Sequence, residues 1–479
     1  MKLSYENQLT NWVNKEKVGV SLLKSCGTLM YEHGIELVLF RNKLLEIGVS
    51  ELLSLFEYAN NELERKTTID DALELANSII KMNLPPSKID IGLLTAEYNE
   101  GEIKDYDKFL FSKLKHINSK KNHNRIAKDV ILYGFGRIGR LVARELIKQA
   151  GTGQQLRLKA IVVRNLTDEQ IVKRIDLFRN DSVHGIFKGV VKVDLKNQSM
   201  VANGQVIKFI SGKNPEDIDY TRHDINNALL IDNTGAFTTK EDLSRHLNAK
   251  GVNKVLLTAP GKEMPNIVYG INSKNLDIDD NNIFSAASCT TNCIAPILHV
   301  IENNFGVNNG HLETVHSYTN DQNLLDNMHK KPRRGRSAAI NMVITSTGAG
   351  KAVTKVIPSL DGKLSANAVR VPTPNVSLAI LKLNLIKPTS VEDVNSKIRE
   401  AALRGDLVNQ INYQIDPDLV STDIIGNNCC SVFDSNATIA SNGGKDIILY
   451  TWYDNEFGYT KQVIRLAKLI AKVRRLTYY

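Results

Sequence analysis

Residues 129–149 read DVILYGFGRIGRLVARELIKQ, and the fold turns on this stretch. A short apolar run, Val130 to Tyr133, reads as a strand. Gly134, Gly136 and Gly139 then form a G-x-G-x-x-G turn, and the residues beyond it carry apolar side chains at helical spacing. Each glycine has a physical use: a tight turn, close approach of backbone to a pyrophosphate, and close packing of helix on strand. The start of a helix offers unpaired N–H groups and a positive dipole end to such an anion. Working outward, LRLKAIVVRN, NALLIDNTGAF and NKVLLTAPG read as further strands ending in small or polar residues. Strands alternating with helices predict an α/β Rossmann dinucleotide-binding domain with a parallel sheet.

The second strand of the domain, LRLKAIVVRN, ends in Val163-Arg164-Asn165. A site for the non-phosphorylated dinucleotide carries a carboxylate here to accept from the ribose 2′-OH. Arg164 and Asn165 supply none, which removes repulsion against a 2′-phosphate and adds a cation to pair with it. The reading is NADP, with NAD as the alternative.

Downstream, FSAASCTTNCIAPIL (284–298) holds two of the five cysteines. Cys289 stands at the start of a predicted helix, where the helix N-terminus favours the thiolate. Ser288 and Thr290 flank it with hydroxyls able to hold an anion. Cys293 reads as a small buried residue one turn on, and no second ligand pair suggests zinc. A nucleophilic cysteine needs a base, and His316 closes the strand candidate GHLETVHSYT. NAVRVPTP, VSLAILKLNL and DIILYTWYD are further strand candidates, and TKQVIRLAKLIAKVRRL is a basic amphipathic helix.

Residues 1 to about 128 have a different texture. Leu, Ile, Val and Phe recur at three- and four-residue spacing through SLLKSCGTLMYEHG and IELVLFRNKLLEIGVSELLSLFEYANNELE, which predicts helices. TIDDALELANSIIKM opens with a capping signal at Thr68 or Asp70. The segment 112–128 is basic and poor in apolar residues and reads as a solvated linker.

A net charge of +9 favours anionic ligands, phosphorylated metabolites among them. There is no Arg-rich tail or RNA-recognition signature, so no dedicated nucleic-acid site is expected. The polar N-terminus and the lack of a long apolar run predict a cytoplasmic protein without a membrane segment. Five cysteines, with Cys429 and Cys430 adjacent, do not form a disulfide framework.

Taken together, YGFGRIGR, SAASCTTNCIAP, HSYTNDQNLLD, the long run from Arg333 to Ser377 and WYDNEFGY resemble phosphorylating glyceraldehyde-3-phosphate dehydrogenase, from about Asp129 to the C-terminus. The resemblance implies that Cys289 attacks the aldehyde and His316 serves as base. It implies Thr319 and Arg370 for the substrate's own phosphate, with Ser288, Thr290, Thr347 and Gly348 for inorganic phosphate. Arg137, Ile138, Thr258 and Asn455 join the glycines as implied cofactor contacts. The substrates would be glyceraldehyde 3-phosphate with phosphate, and 1,3-bisphosphoglycerate in reverse; no metal is implied. Asn165 stands where NAD-using members have Asp, and HSYTNDQNLLD is similar to the NADP-using, gluconeogenic branch. The family implies a homotetramer, with 329–337 near a neighbour's cofactor site. Erythrose-4-phosphate dehydrogenase is the nearest rival, and an enzyme core serving as a scaffold is the rival of another class.

The expected organisation is an all-α N-terminal extension with its basic linker (1–125), a dinucleotide-binding domain (126–287) and an α+β catalytic domain with a mostly antiparallel sheet (288–450). A C-terminal segment and helix (451–479) would pack back on the dinucleotide domain. The extension lies outside the family pattern and offers a surface for a protein partner.

Overall fold

The computed structural model describes residues 4–61, 63–118, 126–274 and 276–479. It divides into two compact units. The larger comprises Lys128–Lys148 and Leu156–Lys472; the smaller gathers Met1–Ala127, Gln149–Gln155 and Val473–Tyr479.

In the larger unit the first sheet runs in the order Ile283–Ser285, Val252–Leu257, Ala228–Asp232, Lys128–Tyr133, Leu156–Val163, Gln205–Ser211. Those six strands are mutually parallel. Ser199–Ala202 and Val191–Asp194 add an antiparallel edge. Numbered along the chain, the six parallel strands lie 6-5-4-1-2-3, which is the doubly wound order. The strand order reverses between Lys128–Tyr133 and Ala228–Asp232, and the glycine turn sits at the end of the first of these. Ile131, Ala160, Leu230 and Val255 are fully buried, as strands covered on both faces require.

The second sheet orders Val343–Thr345, Leu364–Val371, Val307–Ser317, Ser377–Leu385, Asp446–Tyr453, Ser431–Asp434 and Ile411–Gln414, with Ile439–Ser441 beside Asp446–Tyr453. Two of its pairings are parallel and the rest antiparallel. Ser377–Leu385 and Asp446–Tyr453 alternate buried and less buried residues, the mark of a sheet with one face on a core. That face receives the helix Cys289–Asn304, whose Cys293, Ile294, Ile297, Leu298 and Ile301 join Leu381, Leu383 and Leu449 in one apolar cluster. The helix Phe457–Ile470 packs on the helix Arg137–Ile147.

The smaller unit corrects the expectation of an all-α extension. It has the helices Tyr5–His33, Val49–Asn61, Ile69–Lys81, Ile91–Glu100 and Tyr106–Leu114. It also has a four-stranded sheet in the order Asn42–Lys43, Glu36–Leu39, Ser87–Asp90, Leu476–Tyr478. These strands are four residues or shorter and set among helices, so they show no alternation that separates them from a helical run. The fourth strand comes from the C-terminus and pairs in parallel with Ser87–Asp90. Tyr478 OH donates to Glu97 at 2.5 Å, and Arg475 donates to Gly153 O and pairs with Glu36. The expected C-terminal segment thus divides: the helix belongs to the larger unit and the last seven residues to the smaller. Of the expected basic linker, residues 119–125 lie outside the described residues.

Candidate active site

Cys289 opens a helix that its own sequence stops from fraying. Ser288 is the N-cap, and its Oγ accepts from the Thr291 N–H at 3.0 Å. The turn before it holds Ala287 at φ 55°, a left-handed conformation that a non-glycine residue adopts only when neighbours over-determine it. Here they do: Ser285 Oγ accepts from Ala287 N, Tyr459 OH donates to Ala287 O, and Asn292 Nδ2 donates to Ala286 O. The half-buried thiol is thereby aimed at the end of the neighbouring strand.

His316 Nε2 stands 3.8 Å from Cys289 Sγ. Arg370 is its direct partner across the parallel pairing of Val307–Ser317 with Leu364–Val371. Arg370 Nη1 lies 2.7 Å from both His316 Nδ1 and Ser317 O, and Nδ1 lies 2.7 Å from that same carbonyl. A guanidinium only donates, and a carbonyl has two lone pairs. With Nδ1 unprotonated, Arg370 donates to it; with the proton on Nδ1, both Nδ1–H and Arg370 donate to Ser317 O. In the second tautomer Nε2 is an acceptor facing the thiol.

Burial, and after it the Arg370 guanidinium, push His316 down to about 3. Burial also raises the Cys289 thiol, opposed by Arg370 and by bonds from Thr290. The backbone N–H groups at the helix N-terminus favour the thiolate, as the sequence led one to expect, but burial outweighs them. Neither group changes charge readily alone; proton transfer from Sγ to Nε2 ionises both together. Tyr453 packs edge-on to the imidazole at 5.9 Å between centroids and steadies it.

Arg334 adds a second guanidinium, disfavouring positive charge on both His316 and Arg370. Arg370 Nε is buried with no partner among the described residues, a donor unspent within the fold. An anion is the natural complement of such a pair.

The remaining anion candidates are placed differently. The Thr290 hydroxyl turns inward to Tyr453 OH at 2.9 Å. The Ser288 hydroxyl is engaged with Thr291. Thr347 Oγ1 accepts from Ala349 N at 3.2 Å, and Gly348 is the exposed N-cap of the helix Ala349–Val356. Thr319 follows the His316 strand, half-buried, its carbonyl accepting from Gln322 N.

The glycine turn suits a dinucleotide on steric grounds. Gly134 has φ 91°, and a Cβ there would lie 2.9 Å from Thr234 Cγ2. A Cβ on Gly139 would lie 2.5 Å from Gly134 O, whereas one on Gly136 would face open space. That space lies at the N-terminus of the helix Arg137–Ile147, where a phosphate is favoured. Ile138 is half-buried on the first turn. The Arg137 side chain is committed to Glu456 and Asp181, tying the turn to the C-terminal segment. Burial opposes the charge on Glu456, yet Arg137 and His184 keep its carboxyl below the usual range.

Arg164 and Asn165 are exposed directly after the strand Leu156–Val163, and Ser211 Oγ donates to Arg164 O. Thr258 Oγ1 bonds Asp232 O and Asn233 Oδ1, so it orders the neighbouring strand end. Asn455 Oδ1 accepts from Ser317 Oγ at 2.9 Å and Ser377 Oγ at 3.1 Å. Those two donors fix the amide's orientation and leave Nδ2 to donate, which suits a carboxamide oxygen. Sequence reasoning missed Tyr453, Arg334, Ser317 and Ser377. All lie in or beside quoted motifs, but their roles arise from pairing across strands.

Residues 128–240 match the family described as glyceraldehyde 3-phosphate dehydrogenase, NAD binding domain, and residues 288–455 match its C-terminal domain. A glyceraldehyde-3-phosphate dehydrogenase-like protein of Pseudomonas aeruginosa is 45% identical over 435 residues, 90% of this chain and 94% of that protein. The chain belongs to the glyceraldehyde-3-phosphate dehydrogenase family. Glyceraldehyde-3-phosphate dehydrogenase 2 of Nostoc sp. is 42% identical, covering 72% of this chain and 98% of its own length. Glyceraldehyde-3-phosphate dehydrogenase 1 of Bacillus subtilis is 41% identical over a similar span. The Pseudomonas likeness is too long to be confined to residues 128–479 and reaches into the smaller unit. As a family member the chain is an NAD(P)-dependent oxidoreductase. Among the described residues, no helix is long and apolar enough to cross a membrane.

Proposed function

We propose that the chain interconverts glyceraldehyde 3-phosphate plus phosphate with 1,3-bisphosphoglycerate, using NADP and working chiefly in the reducing, gluconeogenic direction. The observation that carries the chemistry is Cys289 Sγ facing His316 Nε2 at 3.8 Å, with Arg370 alongside.

In the oxidising direction Sγ bonds to the aldehyde carbon while its proton passes to Nε2 and on to the former carbonyl oxygen, giving a hemithioacetal on Cys289 and a neutral imidazole. Nicotinamide dinucleotide, when bound, accepts the hydride from that carbon. His316 takes the hydroxyl proton as the carbon–oxygen double bond forms, leaving a thioester. Phosphate then attacks the thioester carbon, the carbon–sulfur bond breaks, and the thiolate leaves. Arg370 and Thr319 hold the substrate's phosphate, while Arg334 and the backbone N–H groups at Ser288–Thr290 and Gly348 favour the incoming one. Proximity of the Arg370 guanidinium makes an imidazolium costly, so His316 returns its proton readily.

Gly134, Gly136 and Gly139 would cradle the pyrophosphate, and Asn455 Nδ2 would orient the carboxamide. The preference for NADP rests on exposed Arg164 and Asn165 at a strand end that lacks a carboxylate. Five free cysteines suit a reducing, cytoplasmic setting. Leu324, Leu325, Met328, Ile340 and Met342 are each more than 70% exposed beside the basic loop 329–337, which suits burial against another subunit in a homotetramer.

The test is steady-state reduction of 1,3-bisphosphoglycerate with NADPH and NADH titrated side by side. A kcat/KM ratio of tenfold or more for NADPH, about 1.4 kcal/mol, supports the reading. A ratio favouring NADH overturns the cofactor part and leaves the cysteine chemistry standing.

A further inference from the structure

The helix Tyr5–His33 has two faces. One, bearing Leu22, Cys26, Leu29 and Met30, is buried in the smaller unit. The other carries Tyr5, Leu9, Trp12, Glu16, Val20, Leu23, Gly27 and Tyr31 at four- and three-residue steps, a stripe apolar except at Glu16 along a helix about 43 Å long. Tyr5 is 76% exposed, Val20 59% and Tyr31 54%, with Leu9 and Trp12 above 40%. Residues 4–15 are all exposed, and the ion pair Lys15–Glu57 ties this end of the helix to the helix Val49–Asn61. A helical stretch of that length is marginal in water without a partner for its apolar face.

We infer that this stripe is a self-association surface, on which the N-terminal helix of one copy of the chain pairs antiparallel with that of a second copy. The order of side chains singles out a second copy. Tyr5 and Gly27 lie equally far from Glu16 along the chain, as do Leu9 and Leu23, and Trp12 and Val20. An antiparallel pair crossing at Glu16 therefore sets Tyr5 over Gly27, Leu9 over Leu23 and Trp12 over Val20. Bulky residues meet small ones at both ends, the two-fold self-complementarity of an isologous contact. Trp12 Nε1 already donates to Glu16 Oε1 at 3.0 Å, holding both on the stripe. The exposed apolar residues offer on the order of 500 Å² per copy, over half of the roughly 800 Å² each partner gives to a standard stable interface.

Geometry supplies the test. Helices packed about 10 Å apart bring the Cα atoms of their crossing residues within about 5–6 Å, the span of a disulfide. The full-length chain with Glu16→Cys, mildly oxidised at micromolar concentration, is expected to give a disulfide-linked dimer on a non-reducing gel. Asn14→Cys, on the far side of the same helix, and the unsubstituted chain are expected not to. Adding Leu9→Glu and Val20→Glu to Glu16→Cys is expected to abolish the dimer while dehydrogenase activity stays within twofold. Equal cross-linking at 14 and 16, no cross-link at 16, or a cross-link that survives the two glutamates would each overturn the proposal.

Discussion

Replacing His316 by Asn keeps a polar side chain beside Cys289 but removes the proton acceptor. A thiol of ordinary pKa 9.0 is about 3% ionised at pH 7.5, and burial raises Cys289 above that value. Without His316 to receive the proton, attack must draw on this minority thiolate. The kcat/KM for glyceraldehyde 3-phosphate should fall at least about 30-fold at pH 7.5, about 2 kcal/mol. It should then climb roughly tenfold per pH unit between pH 7 and 9, as the thiolate fraction does. Single-turnover acylation measures the first effect, and the pH dependence of iodoacetamide alkylation of Cys289 measures the second. A variant that alkylates as fast at pH 7 as at pH 9 would refute the reasoning. It would mean that the helix N-terminus and Arg370 ionise the thiol without the imidazole.

Asn165→Asp returns a carboxylate to the ribose position and should shift the NADPH-to-NADH ratio of kcat/KM at least tenfold towards NADH, read in the same steady-state assay. Gly139→Ala drives a methyl to within 2.5 Å of Gly134 O and should weaken dinucleotide binding at least tenfold in a fluorescence titration. Acid should act oppositely on the two units. The buried His316, held near 3 against 6.5 when unfolded, makes the larger unit lose stability as pH falls from 6.5 towards 3, by on the order of 4 kcal/mol at the limit. Burial raises Asp90 from 3.8 to about 6, so the smaller unit should gain, by about 3 kcal/mol at most, as pH falls from 6 to 4. Hydrogen exchange resolved by unit, at pH 7 and pH 5, would reveal both slopes. Truncation after Lys472 removes a strand and the Arg475 and Tyr478 contacts, and should raise exchange throughout Ser87–Asp90 without changing the alkylation rate of Cys289.

How much of this was legible in the sequence depended on whether the signal was local. The glycine turn, the Cys289 helix and the strands Val307–Ser317, Leu364–Val371, Ser377–Leu385 and Asp446–Tyr453 each carry their pattern within a dozen residues. Cys289 and His316 were recognisable because their chemistry needs those residue types. Glu36–Leu39 and Ser87–Asp90 were not recognisable, being too short for a period to show. Leu476–Tyr478 could not be assigned, because its partner strand lies at the other end of the chain. The Thr290 hydroxyl was assigned to an anion on its neighbourhood in sequence. Its partner Tyr453 comes from a strand far along the chain, and only pairing brings it there. The same holds for Arg334, whose field reaches His316 and Arg370 across a loop.

The docking of the last seven residues has a consequence for synthesis. Tyr478 bonds Glu97 across 381 positions of sequence, and Leu476–Tyr478 completes a sheet begun at Glu36–Leu39. On the ribosome Ser87–Asp90 emerges long before Leu476–Tyr478, so its sheet lacks an edge strand until those residues are made. The earlier segment must therefore wait, incomplete, while the dehydrogenase core between them is made. A product cut short before Leu476 would carry an open sheet edge at Ser87–Asp90, a template for pairing with another chain.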